Sequence, residues 1–278
     1  MANSIHSRVL GSVPTHTYDK VPVARPDLIE RARAIAAIAR SRVEQAGLNP
    51  IQGITVLSLF DGIGCVGRAL ENLNIPVARY EAVDNDDDGM EATRIADHMR
   101  KPSAVFAGVS RTLPRDVNKI NEQHIIDMGP IHLVAGGSPC KDLSRARMLP
   151  DRNGRPGRPG PGFKGKTGCL FPVKVQIIKW VLKHNPMCKY LAENSWFDHI
   201  PADWEWATRE LGTPTRVDAL QFSCTRRTRA FWTNIDLLPG WDTPAPAAAR
   251  DPTAHLRAGW RSMGDRTITA SWKGDPAA

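Results

Sequence analysis

Two rhythms of apolar and polar positions alternate along this chain. Over residues 27–46 the apolar side chains Leu28, Ala32, Ile35, Ala39, Val43 and Ala46 recur at helical spacing and form one stripe. Pro26 can open this helix and Gly47 close it. Arg31, Arg33, Arg40 and Arg42 fall on its polar side, as a solvated face or as phosphate contacts. The period then shortens. Residues 54–60 and 77–83 read as strands, with a helical segment through Leu73 between them. The pattern next predicts a helix over 86–98, a short strand over 103–107, a helix over 117–128 and a buried strand over 131–135. A helix over 170–184, a strand over 188–192 and a helix over 204–211 follow. Strands over 215–222 and 229–235 are separated by a polar turn alone. Strands alternating with helices imply an α/β fold on a doubly wound, mainly parallel Rossmann-like sheet. The last two strands, with no helix between them, predict an antiparallel edge hairpin.

One segment interrupts the pattern. Residues 150–168, PDRNGRPGRPGPGFKGKTG, hold too much proline and glycine for regular structure. They carry Arg152, Arg155, Arg158, Lys164 and Lys166. Long loops in compact domains are usually functional or disordered, so this segment reads either as a mobile basic loop that closes over DNA or as an untethered surface insertion. The chain divides into an N-terminal arm and helix (1–50), a central α/β domain (51–240) and a small C-terminal segment (241–278).

Composition narrows the class. At 41% hydrophobic and 24% charged over 278 residues, a packed core is expected. The net charge of +8 suggests a polyanionic partner, nucleic acid first. The cysteines Cys65, Cys140, Cys169, Cys188 and Cys224 are widely spaced and form no CxxC pair. That argues against a disulfide framework and a zinc site, so no metal is expected. MANSIHSRVLGSV lacks the sustained apolar stretch of a secretion signal, and no apolar run reaches membrane-spanning length. The expectation is a soluble intracellular protein, in a prokaryotic cytoplasm or a eukaryotic nucleus.

Four motifs carry candidate chemistry. FDGIGCVG, from Phe60 to Gly67, lies between a strand and a helix, where small residues let the backbone approach a ligand. Asp84 ends the next strand, where an acid can bind ribose hydroxyls. Together they indicate a nucleoside-containing cofactor. In VAGGSPCKDLS, Cys140 follows a buried strand and the rigid Ser138-Pro139 step. A thiolate there would be a nucleophile at the sheet's carboxyl edge. In LAENSW, Glu193 and Asn194 end a strand and can meet the edge of a base. In CTRRTRAFWTN, Arg227 and Arg229 alternate and share a face, offering fixed donors to a carbonyl or phosphate.

The ordered set FDGIG, GGSPC, EN and RxR resembles the DNA cytosine-C5 methyltransferases, and is most similar to the catalytic domains of animal de novo DNA methyltransferases. The likeness takes in VLSLFDGIG, GGSPCKDLS, KTGCLF and TRRTRAFWTN, and runs from about Ile54 to Gly240. It implies a class I S-adenosylmethionine-dependent methyltransferase fold, S-adenosyl-L-methionine as cofactor and double-stranded DNA as partner. By the same resemblance Cys140, after Pro139, would attack C6 of a flipped cytosine. Glu193, beside Asn194, would hold N3, and Arg229, supported by Arg227, would bind O2. Phe60 would lie along the adenine, with Asp61, Gly62, Ile63 and Gly64 lining the cofactor's path and Asp84 gripping the ribose.

Three departures qualify the likeness. In FAGVSR, Val109 stands, before Ser110, where the family usually has an acid for the adenine amine. Glu-Asn-Val of the family reads Glu-Asn-Ser, with Ser195. The closing cofactor-side motif survives only as Ser271-Trp272, preceded by Ala270 and followed by Lys273. A changed wall there could admit a carboxylated S-adenosylmethionine. Rival readings are a catalytically silent DNA-binding relative, an enzyme acting on RNA, and a nicotinamide-dependent oxidoreductase resting on GIGCVG and Asp84.

Overall fold

The computed structural model describes residues 26–45, 53–85, 105–150, 155–221 and 227–237. Helix α1 (Pro26–Gln45) opens on a proline, which brings no N–H to leave unpaired at a helix start. Its Arg33 donates from Nε and Nη2 to the main-chain oxygen of Asn72, at 2.9 and 2.5 Å. One arginine of the supposed polar face thus fastens α1 to the end of helix α2 (Cys65–Asn72). Ile35, assigned to a packed stripe, is 53% exposed.

Strands β1 (Ile54–Leu59), β2 (Val77–Val83), β3 (Val109–Ser110), β4 (Leu133–Gly137), β5 (Lys189–Ser195), β6 (Thr215–Asp218) and β7 (Thr228–Thr233) form one sheet. Their order is β3-β2-β1-β4-β5-β7-β6. The pairings are parallel from β3 to β5, and β7 runs antiparallel to both β5 and β6. This is the doubly wound, mainly parallel sheet with an antiparallel edge hairpin that the sequence pattern implies. The remaining α-helices among the described residues are α3 (Glu122–Met128), α4 (Leu170–His184) and α5 (Pro201–Leu211).

Local side-chain chemistry moves several boundaries. The single helix expected over 117–128 is a 3-10 turn, Val117–Lys119, followed by α3. Asn121 makes the break: its Oδ1 accepts from the His124 N–H at 3.0 Å, and the Asn121 N–H donates to His124 Nδ1 at 3.1 Å. That reciprocal cap starts a new helix. Of the strand expected over 103–107, Phe106 forms only a bridge to Val77, and the ladder forms at Val109–Ser110. β6 stops at Asp218 because a 3-10 turn, Ala219–Gln221, folds back and Gln221 Oε1 accepts from the Asp218 N–H at 3.0 Å. β7 ends at Thr233, whose Oγ1 takes the Ile235 N–H at 3.0 Å. α5 begins at Pro201, earlier than expected. The helix expected over 86–98 lies outside the described residues.

Alternation along the strands feeds two cores. Leu57, Leu59, Val83 and Val134 join a large cluster with α3, α4 and α5, while Val56, Tyr80, Ala82 and Leu70 of α2 pack on the opposite face. The large cluster centres on fully buried aromatics. Phe171 lies 5.2 Å from Trp232 and 5.6 Å from Phe197, both edge-on, an arrangement that adds about 1 kcal/mol per pair beyond area burial. These aromatics tie α4 to β7 and to the turn after β5.

Candidate functional site at the carboxyl edge of the sheet

Strand order reverses between β1 and β4, and in open α/β sheets the crevice at such a reversal takes ligands. The β1 loop lines one side of it. Phe60, Gly62 and Gly64 all have positive φ, at 57°, 52° and 73°. For Phe60 this left-handed conformation costs on the order of 1 kcal/mol and is held by the surrounding bonds. Asp61 is 8% exposed and turned inward: Oδ1 accepts from Ser58 Oγ at 2.7 Å and from the Tyr80 hydroxyl at 2.5 Å. That hydroxyl in turn accepts from the Gly67 N–H at 3.1 Å. Asp84 Oδ2 takes the Gly62 N–H at 2.7 Å. The result is an open turn: a Cβ at Gly62 would meet nothing within 4 Å, and Ile63 projects outward, 62% exposed.

Val109 and Ser110 lie half-buried across β2, opposite Tyr80 and Glu81. Glu81 is wholly buried. It accepts from the Thr112 and Leu113 N–H groups and from Thr112 Oγ1, the last two at 2.8 and 3.0 Å. Burial pushes its pKa up, but these bonds and one from Ser110 outweigh it and hold the group below the usual carboxylate value. Glu81 therefore ties down the loop after β3.

The β4 loop carries Pro139 and Cys140. The Cys140 main-chain oxygen accepts from the Leu143 and Ser144 N–H groups, at 2.9 and 2.8 Å, and its thiol is half-exposed. Two glycines before it are explained by close approach. A Cβ at Gly136 (φ 147°) would overlap the Leu59 main-chain oxygen, and one at Gly137 would overlap the Glu193 carboxylate. Asp142 then fastens the basic loop. Its Oδ2 accepts from the Thr167 N–H at 2.8 Å, Thr167 Oγ1 at 2.7 Å and the Gly168 N–H at 3.3 Å, and its Oδ1 takes Arg147 Nη1 at 2.7 Å. The Thr167 bonds, with those of Gly168 and Arg147, hold its carboxyl below the usual range.

Glu193 and Arg229 meet across the antiparallel pair. Arg229 stands opposite Ser195, so Glu193 is its diagonal neighbour on the same face. Arg229 Nε lies 2.8 Å from Glu193 Oε1. Burial pushes the Arg229 pKa down, and the charge of Arg227 does so further; Glu193 and Cys140 push it back up. The same charges place Cys140 and Arg227 within electrostatic reach of this guanidinium. Asp218 closes the turn that presents both arginines, taking the Arg227 N–H at 3.0 Å and Thr228 Oγ1 at 2.8 Å.

Among the sequence-predicted site residues, Cys140, Glu193 and Arg229 come together, with Arg227 exposed beside them. Asn194 does not face the opening. It is fully buried, donating to Ser138 O and Oγ, both at 2.9 Å, and accepting from the Ser195 N–H at 2.8 Å. It braces the Ser138-Pro139-Cys140 turn against β5. Phe60, Gly62, Ile63, Gly64 and Asp84 form a second group one strand over. Ser271 and Trp272 lie outside the described residues. Asp142, Glu81 and Lys174 escaped the sequence reading; a charged residue inside an apolar run, as in VARYEAV and LFPVKVQII, is the signal that could have found the last two. Among the described residues no helix is long and apolar enough to cross a membrane.

No family model matches the chain. One solved structure to which it is similar is an E. coli protein, encoded within a prophage and described provisionally as a DNA modification methyltransferase. The likeness has a TM-score of 0.43 at 18% identity and covers 67% of this chain and 49% of that one, so this chain spans about half that protein's length.

Proposed function

We propose that this protein is a DNA methyltransferase that moves a methyl group onto C5 of a cytosine flipped out of the duplex. The observation that carries this reading is the convergence of the half-exposed Cys140 thiol with the Glu193–Arg229 pair at one strand edge. C5 of cytosine is a poor nucleophile. Addition of the Cys140 thiolate to C6 forms a C–S bond and drives an electron pair toward N3. Glu193 protonates N3, and Arg229 donates to O2, so charge does not accumulate on the ring. Electron density returns to C5, which forms the new C–C bond. Loss of the C5 proton to a base then expels Cys140 and restores the ring. S-adenosylmethionine supplies the methyl group as an electrophilic carbon on a sulfonium.

The β1 turn fits such a donor. The space over Gly62, the half-buried Phe60 ring and the carboxylate of Asp84 at the end of β2 suit a nucleoside with ribose hydroxyls. Asp61 and Gly64 hold the shape of that turn, and Ile63 projects from it. Val109 offers the adenine amine no acceptor, which weakens selection for that base. The net charge of +8 suits a DNA partner.

A trapping assay tests the reading. Duplex DNA bearing 5-fluorocytosine is mixed with protein and S-adenosylmethionine, beside a Cys140→Ala control. Fluorine at C5 blocks the final elimination, so a working enzyme stays attached. A Cys140-dependent adduct heavier by one methyl group is the expected result. An adduct carrying a carboxymethyl group, from protein supplied with the carboxylated donor, would shift the reading to that donor. DNA binding without any adduct would favour the silent relative and overturn the proposal.

A further inference from the structure

The basic segment that follows Cys140 is built into the fold. Phe163 stacks on Phe171 of α4 with 5.4 Å between ring centroids, and meets Trp206 of α5 edge-on at the same distance. Its N–H donates to Asp203 Oδ2 of α5 at 2.6 Å. The Arg158 N–H donates to the Arg147 main-chain oxygen at 3.0 Å, and the Gly162 N–H to that of Asp142 at 3.3 Å. A Cβ at Gly157 would overlap the main-chain oxygens of Arg147 and Leu149, and one at Gly160 that of Asp142, so backbone runs hard against backbone at both positions. With the Asp142 bonds to Thr167, Gly168 and Arg147, these contacts tie the segment to the Cys140 turn and, through Phe163, to α4 and α5.

Its surface has one sign. Among the described residues of 141–150 and 155–168, every exposed polar side chain is a lysine or an arginine. Lys141, Arg155, Arg158, Lys164 and Lys166 are exposed. Arg145 and Arg147, though paired with Asp198 and Asp142, keep 57% and 44% of their side-chain surface. The acid of the segment, Asp142, is buried. Lysine and arginine side chains carry donors and no acceptor. Phosphate oxygens accept all along a duplex. In the major groove a donor-only side chain finds its bidentate match at guanine, whereas adenine asks for a donor and an acceptor together and cytosine for an acceptor. Such a surface holds a polyanion and reads little else.

We propose that residues 141–150 and 155–168 form a preformed platform that holds duplex DNA by its phosphates, without closing over it and without reading its sequence. The proposal rests on the DNA-modifying role given to Cys140 under Proposed function, and says how the substrate of that site is held. The place of the platform beside the Cys140 turn favours DNA over an anionic lipid surface. A platform already ordered in the free protein leaves no loop for binding to order.

The test measures binding of the full chain to fluorescent duplex DNA by anisotropy over a range of salt, with no methyl donor present. The logarithm of the binding constant is expected to fall with that of salt at a slope of about 4 to 5, and Lys164→Ala combined with Lys166→Ala to lower the slope by about 2. Duplexes that share one cytosine and differ in every flanking base pair are expected to bind within about threefold of one another. Amide exchange of the free protein reads the preformed state: the Phe163, Thr167 and Gly168 N–H groups are expected to exchange at least about a hundredfold more slowly than in an unstructured chain. Amides that are unprotected until DNA is added would identify a closing loop and overturn the proposal. So would a slope that the lysine variants leave unmoved, or a preference above about tenfold for one flanking sequence. Tighter binding to phosphatidylserine vesicles or to duplex RNA at the same salt overturns DNA as the partner. A slope that moves as expected, with no adduct in the trapping assay, supports the platform and overturns only the methyltransferase reading.

Discussion

Replacing Lys174 by methionine should stabilise the protein in acid and do little in alkali. In the folded chain the ammonium is buried and its pKa falls from 10.5 to about 7. The unfolded chain keeps the higher value. Between these limits the unfolded chain holds a proton that the folded chain has shed, so stability rises with pH across the window. The penalty is fullest below about pH 7, where both states are charged, and amounts to about 5 kcal/mol at about 1.4 kcal/mol per factor of ten. It shrinks by roughly 2–3 kcal/mol between about pH 6 and pH 9. Methionine abolishes this titration. It also deprives the Glu193 main-chain oxygen of a donor, a loss of about 1–3 kcal/mol at any pH. The net gain should be about 2 kcal/mol or more at pH 6 and near zero or negative at about pH 9. Urea unfolding of both proteins at the two pH values reads this directly, through the midpoint and slope. An equal change at both pH values would refute a titrating buried lysine.

Three further outcomes are expected. Asp142→Ala removes the acceptor of the Thr167 and Gly168 N–H groups, costs roughly 3 kcal/mol, and loosens the loop so that trypsin cleaves faster at its exposed Lys164 and Lys166. Because the Asp142 pKa lies below 3.8 in the fold, the clamp is fully present above that value and weakens as pH falls through the folded pKa, which trypsin-independent unfolding curves in acid will show. Gly136→Ala forces a Cβ onto the Leu59 main-chain oxygen at a φ of 147°, and should lower the melting temperature by more than about 10 °C or prevent folding, as measured by calorimetry. Arg229→Lys keeps a charge but loses the planar fork, so labelled-methyl incorporation into DNA should fall about a hundredfold with the fold intact by circular dichroism.

Much of the fold was legible because its strands are short apolar runs with clear ends. ITVLSL and VARYEAV announce β1 and β2, and the missing helix between the last two strands announces the hairpin. The errors arise where one side chain overrides an unbroken pattern. Nothing in the periodicity of VNKINEQHIIDM marks Asn121 as a break; its reciprocal bond with His124 does. Asn194 looked like a base-contacting amide because it follows Glu193 at a strand end. Alternation puts the two on opposite faces, so one side chain enters the opening and the next enters the core. The meeting of Glu193 with Arg229 depends on the β5–β7 register, which joins residues far apart in the chain and leaves no local trace.

The buried polar groups of this chain share a location and a task. Asp61, Glu81, Asp142 and Asn194 each accept or donate several hydrogen bonds, and each ties a loop at the carboxyl edge of the sheet. Such groups are expensive to bury, and an apolar core would be more stable without them. Here they hold in place a β1 turn with a left-handed Phe60, a Cys140 turn braced by Asn194, and a basic loop clamped to the same turn by Asp142. Loops fixed this way arrive at a ligand already ordered, so binding or reaction does not have to supply that ordering. Lys174 extends the pattern to the end of β5, where its Nζ holds the main-chain oxygen of Glu193.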